Sequence, residues 1–144
     1  MSKPVALVTG GSSGIGESTA RAFHAKGFEV YAVARRVDRM TSLSELGVHT
    51  FAMDVTDDGS MVAGIDRIIA EQGRIDVLVN NAGYGSYGAI EDVDIDEGRR
   101  QFEVNVFGAM NLVQLVLPQM RAQTSGTIVN ITSMGGKIYT PLGG

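Results

Sequence analysis

Five short apolar runs recur along the chain, Val5–Val8, Glu29–Ala34, Val48–Met53, Ile75–Val79 and Thr127–Ile131, and between them the apolar residues switch to helical spacing. Strands alternating with helices predict a parallel sheet, because parallel neighbours need a crossover long enough to hold a helix. The runs are continuous rather than alternating, as in strands covered on both faces, and right-handed crossovers then place helices on both sides. The expected fold class is α/β, a doubly wound parallel sheet with strand order 3-2-1-4-5. The first helix should run from Gly14 to Lys26, with Ile15, Ala22 and Phe23 inward and Gly27 ending it in the left-handed conformation. A poorer helix covers Asp38 to Leu46. A third follows Thr56 with Asp57 and Asp58 in its first turn, buries Met61, Ile65, Ile68 and Ile69, and stops at Gly73. The longest is expected from Asp96 to Gln123, with Phe102, Val106, Leu112, Val113, Val116 and Leu117 on one stripe and Pro118 as a kink point. Tyr84 to Gly88 reads as a loop bordering an open site, and Gly135 to Gly144 as a terminal loop.

The first strand runs into Thr9-Gly10-Gly11-Ser12-Ser13-Gly14-Ile15-Gly16, so the order is strand, glycine turn, helix start. Glycines at 10, 14 and 16 remove a Cβ where a pyrophosphate needs close backbone approach, and the helix start turns free N–H groups and its positive dipole end there. Gly11 to Gly16 followed by Glu17-Ser18 nearly fits the pattern G-x-x-x-x-G-K-[ST], but glutamate stands where a lysine would reach the β and γ phosphates. That substitution argues against a nucleoside triphosphatase. A flexible Gly/Ser loop without a ligand is the plainer alternative, weakened by the strand and helix on either side.

The 144 residues are expected to form one domain. There is no cysteine, which excludes disulfides, thiol nucleophiles and cysteine metal sites and suits a reducing cytoplasm. His24 and His49 stand alone, without a second ligand at metal spacing, so no metal site is expected. The formal charge of −4 and the absence of a basic stripe point to neither nucleic acid nor an anionic membrane. No apolar run approaches spanning length, so a cytoplasmic protein is the expectation.

In a doubly wound sheet ligands bind beyond the carboxyl ends of the strands. Thr9 to Gly16 follows the first strand, Arg35-Arg36 the second, Asp54-Val55 the third, Asn81-Ala82-Gly83 the fourth and Thr132-Ser133 the fifth. A carboxylate at the second strand end would hydrogen-bond the ribose hydroxyls of a dinucleotide and repel a 2′-phosphate. Ala34-Arg35-Arg36 offers guanidinium groups instead, which pair bidentately with phosphate.

Four motifs in order, Thr9-x-x-x-Gly-x-Gly16, Asn80-Asn-Ala-Gly83, Asn105-Val-Phe-Gly108 and Ile128-Val-Asn-Ile-Thr-Ser133, resemble those of the short-chain dehydrogenase/reductase family along the whole chain. The resemblance implies a Rossmann-type dinucleotide-binding domain over residues 1–144 and NAD(P)(H)-dependent oxidoreduction of a small alcohol or carbonyl substrate. With Arg35 and Arg36 in place of the acid, NADP(H) is favoured over NAD(H). Gly10, Ser12, Ser13, Gly14, Ile15, Gly16, Asp54, Val55, Asn81, Ala82 and Gly83 are the implied remaining cofactor contacts, Asp54 and Val55 on the adenine. By the same resemblance Ser133 hydrogen-bonds the reacting oxygen, and Asn105 holds a water in the proton relay. The bland readings are that Ser133 caps a turn and Asn105 bonds backbone.

The resemblance fails at one place. The family's acid/base is a tyrosine four residues ahead of a lysine, and Tyr31, Tyr84, Tyr87 and Tyr139 are followed at that spacing by Arg35, Gly88, Glu91 and Gly143. In the family that tyrosine lies about a dozen residues beyond the serine, so the sequence reads as an amino-terminal portion whose sheet is incomplete at the carboxyl-terminal end. Such a chain is expected to be a poor catalyst, since a poised acid/base contributes about 10²- to 10⁴-fold. The alternatives are a noncatalytic dinucleotide-binding module and a self-associating fragment. For the last, uncharged, proline-free Thr127 to Ile131 offers an open strand edge, and a homo-oligomer is expected.

Overall fold

The five apolar runs form β1 (Val5–Thr9), β2 (Glu29–Ala34), β3 (His49–Ala52), β4 (Val77–Asn80) and β5 (Thr127–Asn130) in the computed structural model, which describes residues 2–138 and 141. All neighbouring strands are parallel and the order is β3-β2-β1-β4-β5. The order reverses between β1 and β4, where Ala6, Leu7 and Val8 pair with Val77, Leu78 and Val79. A crevice therefore opens beyond the carboxyl ends of these two strands.

Side chains of β1 alternate between two cores. Val5 and Leu7 join Tyr31, Val33, Ile65, Ile68, Leu112 and Val116 on one face, whereas Ala6 and Val8 join Ala20, Val30, Ala32, Met40 and Leu43 on the other. Fully buried residues such as Leu7, Ile68 and Leu112 each contribute about 1.5–3 kcal/mol by leaving water. The first face is covered by α3 (Asp58–Gln72) and α5 (Gly108–Ala122), the second by α1 (Gly14–Ala25) and the short α2 (Thr41–Ser44), which a 3₁₀ turn at Val37–Met40 precedes. Asp57 caps α3 by accepting from the Ser60 N–H at 2.6 Å, and Gly73, at φ 70°, ends it. Continuous burial on both faces holds for β1 and nearly for β2 and β4. The outer strands β3 and β5 are more open, because each has a neighbour on one side only.

Two helix expectations need correction. In α1 the buried residues are Gly16 and Ala20, with Phe23 half-buried against Phe28, while Ala22 is exposed and Ile15 is 62% exposed. The inward stripe is thus Gly16, Ala20, Phe23, and Ile15 sits in the first turn at the crevice mouth instead of over the sheet. The long helix is not one α-helix. α4 (Ile95–Phe102) passes through a π-helical segment, Glu103–Phe107, into α5, with the Gly108 N–H donating to the Glu103 carbonyl. The i→i+5 pairing shifts the phase, so Gly108, Leu112, Val116 and Met120 form the buried stripe and Phe102 and Val106 face solvent. Pro118 lies within α5 without ending it.

Candidate functional site

Thr9 closes β1 at the crevice. Its hydroxyl, 1% exposed, accepts from the N–H groups of Asn81 (3.0 Å) and Ala82 (2.9 Å) and donates to the Val79 carbonyl (3.4 Å). In return, the Asn81 amide donates to the carbonyls of Thr9 (3.0 Å) and Gly10 (3.3 Å). One threonine and one asparagine thus tie the loop after β1 to the loop after β4.

The glycines divide by role. Gly10 has φ +67°, and a Cβ there would lie 2.8 Å from the Asn81 amide; a Cβ at Gly16 would collide with the Gly10 carbonyl and the same amide. These two glycines let the loop after β1 pack against the loop after β4. Gly14 is the one that faces open space, at φ +55° with no atom within 4 Å of its absent Cβ. Beside it the first-turn N–H groups of α1 have no carbonyl partners within the helix, and no side-chain hydrogen bond among the described residues engages Ser12 or Ser13. Ile15 is exposed at the same rim. This cradle could hold a pyrophosphate.

After β4, Gly83 lies against Asn105, with its absent Cβ 3.1 Å from Asn105 Oδ1. Asn105 Oδ1 accepts from the Tyr84 N–H and its Nδ2 donates to the Tyr84 carbonyl, which also receives Gln101 Nε2 at 3.3 Å. The Asn105 side chain is therefore engaged in holding the loop, with one N–H and one lone pair left over. Further on, Gly108 seats the start of α5 directly on the Val55 carbonyl. Val55 is buried in the core, whereas Asp54 Oδ1 accepts from Thr56 N and Oγ1 at 2.9 and 2.8 Å. Only the remainder of that carboxylate is open to a ligand.

Arg35 and Arg36 are exposed at the end of β2 and make no ion pair or side-chain hydrogen bond among the described residues. Arg35 lines an open cleft of about 600 Å³ with Thr56, Tyr84, Glu97, Arg100, Glu103 and Val104. Burial and then the Glu97 carboxylate push the Tyr84 phenol up, and Arg100 and Arg35 pull against them. Tyr84 thus belongs to the arginine-lined side of the crevice.

Ser133, three residues beyond β5, caps a 3₁₀ turn, Met134–Gly136, and its Oγ accepts from the Gly135 N–H at 3.0 Å, which leaves the hydroxyl proton to donate. No hydrogen bond or ion pair among the described residues joins Ser133 or Arg36 to the other site residues. Tyr31 is buried, donates to Glu71 Oε2 at 2.7 Å and is raised to about 12, first by burial, so it is a core residue. Tyr87 is exposed, and Tyr139 lies outside the described residues. Among the described residues no cluster of three or more His, Asp or Glu could hold a metal, and no helix is long and apolar enough to cross a membrane.

Sequence reasoning did not find the roles of Gln101, Glu97, Arg100 and Gly108. Gly108 did stand in a quoted motif, but its reason is a backbone contact 53 residues away in sequence, with Val55.

The family model for short chain dehydrogenases matches residues 4–144. The chain is 39% identical to a 3-ketodihydrosphingosine reductase of Bacteroides thetaiotaomicron over 144 residues, covering all of this chain and 52% of that one. It is 38% identical to dehydrogenase/reductase SDR family member 7B of Mus musculus over 149 residues, 95% of this chain and 46% of that one. Among solved structures, a short-chain dehydrogenase from Streptomyces avermitilis superposes with a TM-score of 0.93 at 40% identity, covering 99% of this chain and 53% of that chain. A metagenomic short-chain oxidoreductase in complex with NADP gives 0.92 at 33% identity, covering 99% and 67%. The chain spans about half the length of the curated relatives it matches. A match over nearly every residue shows that this chain belongs to the short chain dehydrogenase family.

Proposed function

We propose that the protein is an NADP(H)-dependent oxidoreductase acting on a small alcohol or carbonyl compound. The observation that carries the cofactor choice is the end of β2, where Arg35 and Arg36 stand without a carboxylate and without an ion pair among the described residues. When bound, the nicotinamide supplies or accepts the hydride. The chain's own residues bind and orient. Gly14, Ser12, Ser13 and Ile15 border the pyrophosphate cradle, and Gly10 and Gly16 let it close. Asp54, Val55 and Asn81 to Gly83 shape the adenosine side, Arg35 and Arg36 take the 2′-phosphate, and Ser133 donates its hydroxyl proton to the reacting oxygen. Two similar solved structures carry NADPH or NADP, which supports the reading.

Calorimetric titration tests it. NADPH should bind more tightly than NADH, and Arg35→Ala should weaken NADPH by about tenfold, the lower end for a charge-assisted bond because the arginine is exposed. Equal affinities for the two cofactors in the parent protein would overturn the assignment. The 144 residues contain no tyrosine with a lysine four positions on, so this stretch alone should turn over carbonyl compounds negligibly.

One observation favours self-association as a second property. Among the described residues β5 pairs with β4 alone, with Thr127, Val129 and Asn130 exposed, and Phe102, Phe107 and Met110 are more than half exposed. Sedimentation of these 144 residues should show concentration-dependent mass that Val129→Lys reduces, and a monomer at every concentration would refute it.

A further inference from the structure

The cleft beside Arg35 contains a second guanidinium that the β2 reading does not use. Of the two adjacent arginines on α4, Arg99 is tightly paired with Asp96 at 2.7 Å and does not line the cleft. Arg100 does line it, and its contact with Glu97 is loose, at 3.6 Å with no hydrogen bond among the described residues. Glu97 has a better partner, because Ser86 Oγ donates to its Oε1 at 2.7 Å. Arg100 can therefore leave Glu97 without stripping the carboxylate of its hydrogen bond. Arg100 from α4 and Arg35 from the end of β2 line the same cleft as Tyr84, whose backbone Asn105 and Gln101 hold.

We propose that Arg100 is a specificity-determining residue that grips the 2′-phosphate of the adenosine together with Arg35, and that Glu97 is the internal counter-ion it exchanges for that phosphate. This rests on the NADP(H) reading and adds the second wall of the site. A guanidinium presents a planar fork of donors, so two of them on different elements can take separate oxygens of one phosphate. The cleft is charge-balanced, with Arg35 and Arg100 against Glu97 and Glu103. A dianion enters only when Arg100 turns from Glu97 toward it, and Glu103 opposes it throughout. The glutamates therefore limit the preference that the arginines create. Without the phosphate, the free ribose hydroxyl finds carboxylate acceptors instead.

Adenosine 2′,5′-bisphosphate and adenosine 5′-monophosphate differ by the phosphate in question and report binding without turnover. Titration calorimetry of the protein with both probes should show Arg100→Gln weakening the bisphosphate about fivefold while leaving the monophosphate unchanged, as for a partly screened ion pair. Arg100→Lys should fall between, and Glu97→Gln should tighten the bisphosphate, more so at low salt. Arg100 is largely exposed, so these variants leave the core untouched. If Arg35→Ala abolishes the preference and Arg100→Gln does not change it, the NADP(H) reading stands and Arg100 has no part in it. If Glu103→Gln weakens the monophosphate and Arg100→Gln affects both probes equally, the cleft reads ribose hydroxyls and this inference falls. If the parent protein binds the two probes equally, both readings fall together.

Discussion

Asn105 grips both backbone polar groups of Tyr84, its Nδ2 donating to the carbonyl at 2.7 Å and its Oδ1 accepting from the N–H at 3.0 Å. The clamp joins the π-helical segment to the loop after β4, beside the Gln101 and Glu97 bonds from α4 to the same loop. Asn105→Ala should remove both bonds, about 1–2 kcal/mol together at an exposed position. Asn105→Asp should be no better, because its second oxygen would face the Tyr84 carbonyl. Hydrogen exchange at the Tyr84 amide is the direct measurement, and unchanged exchange in both variants would show that the loop is held by something else.

Thr9 makes a sharper case because its hydroxyl is buried. Thr9→Val preserves shape but leaves the N–H groups of Asn81 and Ala82 without their acceptor, an expected loss of about 2 kcal/mol given that both are partly exposed. Thr9→Ser keeps the oxygen and should recover most of that. Urea denaturation of the three proteins side by side checks it: equal loss in Val and Ser variants would assign the effect to packing of the methyl group.

The sheet was legible because its signal is local: each run of β-branched and aliphatic residues declares a strand, and the glycine turn between Val8 and Ile15 fixes which strand leads the crevice. What was not legible depends on contacts distant in sequence. Nothing near Phe102 announces that the backbone pairs i→i+5 at Gly108, so the periodicity that identified Leu112 and Val116 placed Phe102 and Val106 on the wrong face. Likewise nothing in the glycine loop announces that Gly10 and Gly16 also leave room for the Asn81 amide, some seventy residues on. Tyr84 read as an open-site residue without a side, and its place among Arg35, Glu97 and Arg100 depends on residues from β2 and α4 that line one cleft with it.

Asp76 predicts the acid limb of stability. Its Oδ2 accepts from the Val5 N–H at 2.7 Å and from Arg74 Nε at 2.8 Å, and its Oδ1 from Arg74 Nη2 at 2.7 Å. Burial works to raise its pKa but is outweighed by Arg74 and the Val5 N–H, so the carboxyl titrates below its ordinary 3.8. The unfolded chain therefore binds the proton first as pH falls. The stabilisation is complete above the ordinary value and is lost as pH drops through the lowered one. Asp76→Asn should lower stability near neutral pH and flatten the decline below about pH 4. An acid limb as steep as the parent's would mean that Glu29 and the other lowered carboxyls carry it.

Two glycines in the long helix should respond to alanine in opposite directions. At Gly98, within α4, no atom lies within 4 Å of the absent Cβ, so Gly98→Ala should stabilise by about 0.5–1 kcal/mol through helix propensity alone. At Gly108 the added methyl would strike the Val55 carbonyl, which is backbone and cannot rotate away, with Val55 Cβ at 3.1 Å and the Glu103 carbonyl at 3.2 Å. The same propensity gain is then overwhelmed by displacement of α5 from the end of β3, an expected loss of about 1–3 kcal/mol. On the proposed reading, in which Asp54 and Val55 shape the adenosine side, Gly108→Ala should weaken nucleotide binding as well, whereas Gly98→Ala should not. Denaturation midpoints and nucleotide titrations of the two variants test the pair, and a neutral Gly108→Ala would show that α5 does not rest on that carbonyl.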